Sequence, residues 1–399
     1  MTAAETFDDH KARRNAVILA IAQALYGATL TALVVTSGLV GTQLAPDPSW
    51  ATMPMSMTII GTALTTFPIS LMMKRIGRRA GFMICAMLGA LGSLLGTYAI
   101  FEKSFGLFLV GALMLGIYQA SASYYRFAAA DLASPQFRPK AISWVMTGGV
   151  AAALFGSLLV MATVDLLAPI TFAGTWVAMA VLALIGAALL MAVDIPYKAE
   201  ANAPTGRALP EIARQPRYIV AVATATLAYG IMMLVMTATP VAMLGCGFTV
   251  QDSSWVIQWH ALSMFVPSFF TGSLIARYGA ERISIIGMVL LVGAAVAGLM
   301  GIHFENFAVG LILLGLGWNF GFLGGTTMLT STYRPAERNK AQGLNDMIVF
   351  VITALASLSA GKLLAWNGWD AVNYAVFPLV LLALVLISWL VTHQRRLAA

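Results

Sequence analysis

Ser70-Leu71-Met72-Met73-Lys74-Arg75-Ile76-Gly77-Arg78-Arg79 and Gly272-Ser273-Leu274-Ile275-Ala276-Arg277-Tyr278-Gly279-Ala280-Glu281 each end a long apolar run with the same punctuation. Arg75 and Gly77 of the first stretch match Arg277 and Gly279 of the second. Further on, Arg138-Pro139-Lys140-Ala141 is answered by Arg338-Asn339-Lys340-Ala341. A chain that repeats its own turns half a length apart reads as a parallel duplication, the arrangement a rocking carrier needs if one half is to tilt against the other.

The composition sets the solvent of the halves. Of 399 residues, 60% are hydrophobic and only 10% charged, with a mean hydropathy of +0.85. A water-soluble domain would carry about a quarter charged residues, so the chain reads as an integral membrane protein and not as a soluble enzyme. The apolar runs are continuous and not alternating, which excludes a β-barrel. Cys85 and Cys246 are too few for a disulfide framework.

Stretches long enough to cross about 30 Å of hydrocarbon lie near 15–41, 50–73, 81–101, 105–130, 141–165, 171–193, 218–245, 252–276, 283–302, 307–332, 341–364 and 371–392. This predicts an all-α membrane protein of twelve transmembrane helices. An N-terminal tail (1–14) precedes a six-helix half (15–193), a polar linker (194–217) with Pro196, Pro204 and Pro210 follows, and a second half (218–392) ends in a tail (393–399). Most of the 23 basic residues fall in the tails, the linker and the connections after even-numbered spans. The positive-inside rule makes that side the cytoplasm and places both termini there. The net charge of +7 is then a topological signal, and no nucleic-acid partner is expected.

Twelve spans, a mid-chain linker and the Arg-x-Gly-Arg-Arg turn at Arg75–Arg79 resemble the major facilitator superfamily over essentially the whole chain. The turn departs from that family's pattern at Ser70 and Lys74 and lacks its aspartate.

Ionisable side chains are costly inside a bilayer, so those near spans are read first. Arg126 and Asp131 in span four, Asp346 in span eleven, and Arg75 and Arg277 in the repeated turns are candidates for gating or coupling at the cytoplasmic ends. The midplane carries no carboxylate. It carries Met232 and Met236 in span seven and His260 and Met264 in span eight, each pair on one helical face. At 1.5 Å per residue their depths match across the two antiparallel helices. Thioether and imidazole suit Cu(I), yet methionine is also an ordinary gap-filler of apolar cores, so spacing alone leaves both readings open. Met53 and Met57 at the outer face, Cys246 at the outer end of span seven and Cys85 in span three are candidate relay residues. Asn319 is read as a cavity-lining residue.

Met232-x-x-x-Met236 followed by His260-x-x-x-Met264 resembles the signature of the CcoA-like copper importers of that superfamily. The resemblance implies a bacterial inner-membrane importer, not an enzyme, working by alternating access. Those four residues would handle copper, entering as an ion or small complex. Copper would be the transported substrate with no prosthetic group, copper chaperones would act downstream, and the metal would serve haem-copper oxidase assembly. The alternative is an exporter of a hydrophobic or amphiphilic small molecule whose methionines line a greasy cavity.

Overall fold

In the computed structural model, residues 8–131, 133–134, 137–195, 206–334 and 337–398 are described. Among them the regular structure is helical throughout. The first series is α1 (Asp9–Leu44), α2 (Met53–Ile76), α3 (Arg78–Phe101), α4 (Phe105–Ala122), α5 (Tyr125–Ala130), α6 (Arg138–Thr163) and α7 (Ala173–Leu190). The second is α8 (Leu209–Ala213), α9 (Pro216–Gly245), α10 (Val250–Phe265), α11 (Ser268–Tyr278), α12 (Ala280–Leu299), α13 (Phe304–Thr330), α14 (Arg338–Tyr374) and α15 (Val376–Ala398). Helices are what hydrocarbon permits, because each backbone N–H and C=O must find its partner inside the segment.

Ten described runs are long and apolar enough to cross a membrane. The last of them, Lys340–Gln394, holds both α14 and α15, and α10 with α11 form a further pass that Pro267 divides into shorter pieces. With these the twelve expected crossings are present. The helices sort into two compact units: the chain up to Pro46 joins the helices from Met57 through α7, while Asp47–Ser56 joins α8 to α15. The short segment sorts that way because the Thr52 hydroxyl donates to Ser357 O at 2.8 Å and accepts from Gly361 N at 3.1 Å.

The paired turns of the sequence are paired in geometry. Gly77 (φ 86°, ψ 156°) separates α2 from α3, and Gly279 (φ 89°, ψ 151°) separates α11 from α12. Side-chain-bearing residues are essentially excluded from this region of backbone space, so the matched glycines impose one sharp reversal in each half.

Within the first unit, α1 packs on α6 and α3 lies between α4 and α7. Its core gathers Phe82, Tyr118 and Tyr125, with Phe82 and Tyr125 edge to face at 4.9 Å. In the second, α13 packs against α9, α10 and α12. A Cβ on Gly315 would overlap Ser263 Oγ and come within 2.7 Å of His260 O, so this glycine sets the close approach of α13 to α10. Exposed apolar side chains such as Phe155, Ile185, Val289 and Leu382 give the helices the exterior that lipid requires.

Replacing Gly77 or Gly279 by Ala is expected to cost about 1–3 kcal/mol, read as a lower unfolding temperature in detergent. Gly106→Ala, where an added Cβ meets nothing within 4 Å, is expected to leave that temperature unchanged or raise it.

Candidate functional site

The midplane residues of α9 and α10 are buried within the second unit. Met232, Met236, His260 and Met264 are all below a tenth exposed. The polar contact of the His260 ring runs to α13, where Nδ1 lies 2.8 Å from Leu311 O. A carbonyl accepts only, so Nδ1 carries the proton and Nε2 is left as an acceptor. Nε2 is enclosed and has no hydrogen-bond partner within the protein. Met264 contributes its backbone carbonyl to a tie with Asn319. Among the described residues no three His, Cys, Asp or Glu side chains gather as a metal site.

Asn319 has a structural post. Pro267 has no N–H and interrupts the helix between α10 and α11. The Asn319 side chain fills the break: Nδ2 donates to Met264 O and to Ser268 Oγ, both at 2.7 Å, and Oδ1 accepts from Thr271 Oγ1 at 2.6 Å. A neighbouring helix re-satisfying a proline break is the condition on which hydrocarbon tolerates one.

The remaining sequence candidates are scattered. Met53 and Met57 open α2 half-buried, the first within the second unit and the second within the first. Cys246 is exposed beyond α9, and Cys85 is sealed in the core beside Phe82 and Tyr125. Arg75 is exposed; Arg277 is exposed and lies over the Tyr278 ring at 5.2 Å. Span four breaks at Ser123–Tyr124, which puts Arg126 on the short α5, exposed and over the Phe127 ring at 4.8 Å. Asp131 pairs with Arg78 of the repeated turn, at 2.6 Å to Nε and 3.2 Å to Nη2. Asp346 is exposed and accepts from Asn345 at 3.0 Å.

Sequence reading missed three features. Glu337, between α13 and α14, is fully buried and receives Arg207 N, Nε and Nη2 together with Arg334 N, at 2.7–2.9 Å. The Arg207 guanidinium holds its carboxyl well below the usual carboxylate range, helped by the Arg334 amide. Lys340 Nζ adds bonds to Gly206 O and Arg207 O, so the end of the linker is clamped to this loop.

The second feature is an aromatic cluster in the second unit. Trp318 and Phe322 of α13 stack with centroids 5.2 Å apart and planes at 9°. Tyr229 of α9 meets both edge to face, at 5.6 and 5.3 Å, and Phe265 of α10 approaches Trp318 at 6.5 Å. Trp318 lies roughly 21 Å along α13 and Tyr229 roughly 20 Å along α9, so the cluster is at mid-membrane depth. Trp318 Nε1 is enclosed without a partner in the protein. The i, i+4 spacing of Trp318 and Phe322 was its only signal in the sequence.

The third is a cavity of about 10 Å³ within the first unit, walled by Tyr26, Thr29, Thr58, Tyr118, Gln119 and three leucines. Among the described residues in the spanning helices, His260 is the sole buried side chain of acidic or basic type. The interior is therefore neutral, aromatic and sparsely polar, which suits an uncharged organic molecule better than an ion.

Duplicated helical halves with such an interior define a multi-pass membrane carrier. The chain belongs to the Major Facilitator Superfamily, whose sequence profile matches residues 19–257 and 220–398. The riboflavin transporter RfnT of Brucella anthropi is 45% identical over 381 residues, covering 95% of this chain and 96% of that one. The uncharacterised MFS-type transporter YdeG of Bacillus subtilis is 27% identical, covering 94% and 92%. In solved structures the nucleoside transporter NupG shares the fold, with a TM-score of 0.72 at 17% identity, covering 96% of this chain and 99% of that one.

The RfnT relation overturns the expectation of copper import, and with it the copper ion and copper chaperones as partners and the link to haem-copper oxidase. The superfamily resemblance holds; the narrower one to the CcoA-like importers does not follow from it. Buried methionines are also ordinary packing residues, here of α9 and α10, so the four-residue pattern by itself does not select copper.

Asn319→Ala would leave Met264 O in an apolar setting without its donor, at a cost of about 1–3 kcal/mol, measurable as a drop in unfolding temperature. The Arg207–Glu337 clamp has a definite pH sense. A depressed folded-state pKa means its stabilisation is full above the ordinary value of 4.5 and is lost as pH falls below it. Hydrogen exchange at Arg207–Ala213, corrected for intrinsic rates, is expected to quicken below that pH in the native protein, while Glu337→Gln removes most of the dependence.

Proposed function

We propose that this protein carries riboflavin, or an uncharged amphiphile built on a similar flat ring, across the bacterial inner membrane by alternating access, with both termini in the cytoplasm. The observation that carries this reading is the 45% identity to a riboflavin transporter along nearly the full length of both chains. The interior supports it. A fused heteroaromatic ring favours offset or edge-to-face contact with other aromatic rings, and Tyr229, Phe265, Trp318 and Phe322 supply such surfaces at mid-depth. Trp318 Nε1 is a donor without a partner in the protein, and a ring nitrogen or carbonyl can accept from it. A neutral solute needs no buried counter-charge, and the spanning segments offer none among their described residues.

The basic residues that flank the even-numbered connections support the orientation. The two matched turns at Gly77 and Gly279 support movement of each half as a rigid piece, since they place the same stiff reversal at equivalent points.

Counterflow in proteoliposomes tests the reading without presupposing direction. Unlabelled riboflavin inside is expected to accelerate entry of labelled riboflavin, and copper ions are expected to have no such effect. Trp318→Ala is expected to raise half-saturation about five- to tenfold, the weight of one aromatic contact. Absence of counterflow with well-folded protein would defeat the proposal.

A further inference from the structure

The chain between α1 and α2 does more than connect them. Asp47 opens a short 3₁₀ turn, Pro48–Trp50, by accepting from Ser49 N at 2.8 Å, and Thr52 stands directly before α2. Thr52 is buried, and its hydroxyl is used twice on α14: it donates to Ser357 O at 2.8 Å and accepts from Gly361 N at 3.1 Å. Gly361 permits the approach, since a Cβ there would come within 2.5 Å of Thr52 Oγ1 and 2.8 Å of Ser49 O. Ser357 and Ala360 on the same stretch of α14 are small and fully buried. The segment is fitted to α14 and is not a loose loop.

One turn later the same helix is committed elsewhere. Asp47–Ser56 sorts with the second unit, and α2 from Met57 onward sorts with the first. There Thr58 Oγ1 donates to Ala112 O at 2.9 Å and Thr62 Oγ1 to Gly116 O at 3.1 Å. Added Cβ atoms on Gly61 and Gly116 would overlap Leu113 O and Thr58 O, so α2 and α4 meet backbone to backbone. Thr52 and Thr58, anchored in different units, are roughly 9 Å apart along the helix axis. A carrier of duplicated halves works by moving one half against the other. Such movement must either bend α2 between Ser56 and Met57 or lift Thr52 from α14. Bending opens helical backbone bonds where no water replaces them. Lifting Thr52 is cheaper, because Ser357 O and Gly361 N are four residues apart, the spacing of a helical backbone bond, and keep each other as partners when the hydroxyl leaves.

We infer that Thr52 and Gly361 form a releasable latch, closed in this conformation and opened once in each transport cycle, on the side that the proposed orientation makes the outer one. It concerns how the carrier opens and not what it carries, and it rests on the proposed function only for riboflavin as a transport readout.

Two measurements test the latch. Thr52→Cys with Gly361→Cys, in a Cys246→Ser background whose remaining native cysteine, Cys85, is buried, places two thiols at the contact. Oxidation is expected to join them and abolish riboflavin counterflow, and a reductant to restore it. Joined protein that carries riboflavin at the reduced rate overturns the inference, as does a folded pair that oxidation leaves unjoined. The second measurement needs no substrate. Ser357 Oγ has no hydrogen-bond partner within the protein, so Ser357→Cys in the same Cys246→Ser background sacrifices no side-chain bond. Its labelling by a membrane-impermeant maleimide is expected to quicken about five- to tenfold when Thr52→Val removes the hydroxyl and keeps the shape, the weight of one or two hydrogen bonds. An unchanged labelling rate overturns the latch, and this arm decides the matter if the cysteine pair fails to fold. Wild-type protein without riboflavin counterflow defeats the proposed substrate and leaves labelling to decide the latch.

Discussion

Backbone groups that cannot reach water must be paired inside the protein, and the architecture follows from how the chain meets that demand. Long helices meet it by themselves. Every departure from a helix then needs a specific replacement, and the departures are where this structure is most constrained. Pro267 interrupts the eighth pass, and the Asn319 amide of α13 takes up the Met264 carbonyl while bonding Ser268 and Thr271. The break is thereby coupled to the same helix that bears Trp318 and Phe322, so a demand of backbone chemistry also positions the aromatic cluster.

Charge obeys the same solvent logic from the opposite side. Arg78–Asp131, Arg207–Glu337 and Arg217–Glu281 all lie at helix ends or in connections. The spanning interior keeps hydroxyls, amides such as Gln258 and Asn319, ring nitrogens and sulfur. An interior of this composition can recognise a solute by shape, ring contact and a few directed hydrogen bonds, and it does so without the desolvation cost that a buried charge would bring. Selectivity in such a carrier depends on where the few unpartnered polar atoms sit. Trp318 Nε1 offers a donor beside the aromatic rings.

The RfnT relation overturned the copper reading, and the contacts of its four residues lay equally beyond what the sequence displays. Met232, Met236, His260 and Met264 are placed at matched depths by helical rise, and residue type at a depth is all a sequence reports. It does not report which way a ring nitrogen turns. His260 Nδ1 engages Leu311 of α13, a residue 51 positions away, and nothing local to His260 marks that carbonyl as its partner. The same limit hid Glu337 and Arg207, 130 positions apart, whose contact exists because the linker folds back onto the loop after α13.

What sequence alone determined is what depends on near neighbours and on solvent: the helical class, the number of crossings, the duplicated halves, and the turns at Gly77 and Gly279, whose φ values of 86° and 89° fulfil the repeat read from the residues. Hydropathy and backbone sterics act over a few residues, so they can be read along a line. Only the tertiary structure decided that span eight is two helices held by Asn319, that Asp131 pairs with Arg78, and that Tyr229 of α9 meets Trp318 and Phe322 of α13. Those outcomes turn on contacts between distant segments, where packing selects one partner among many that the order of residues leaves equally open.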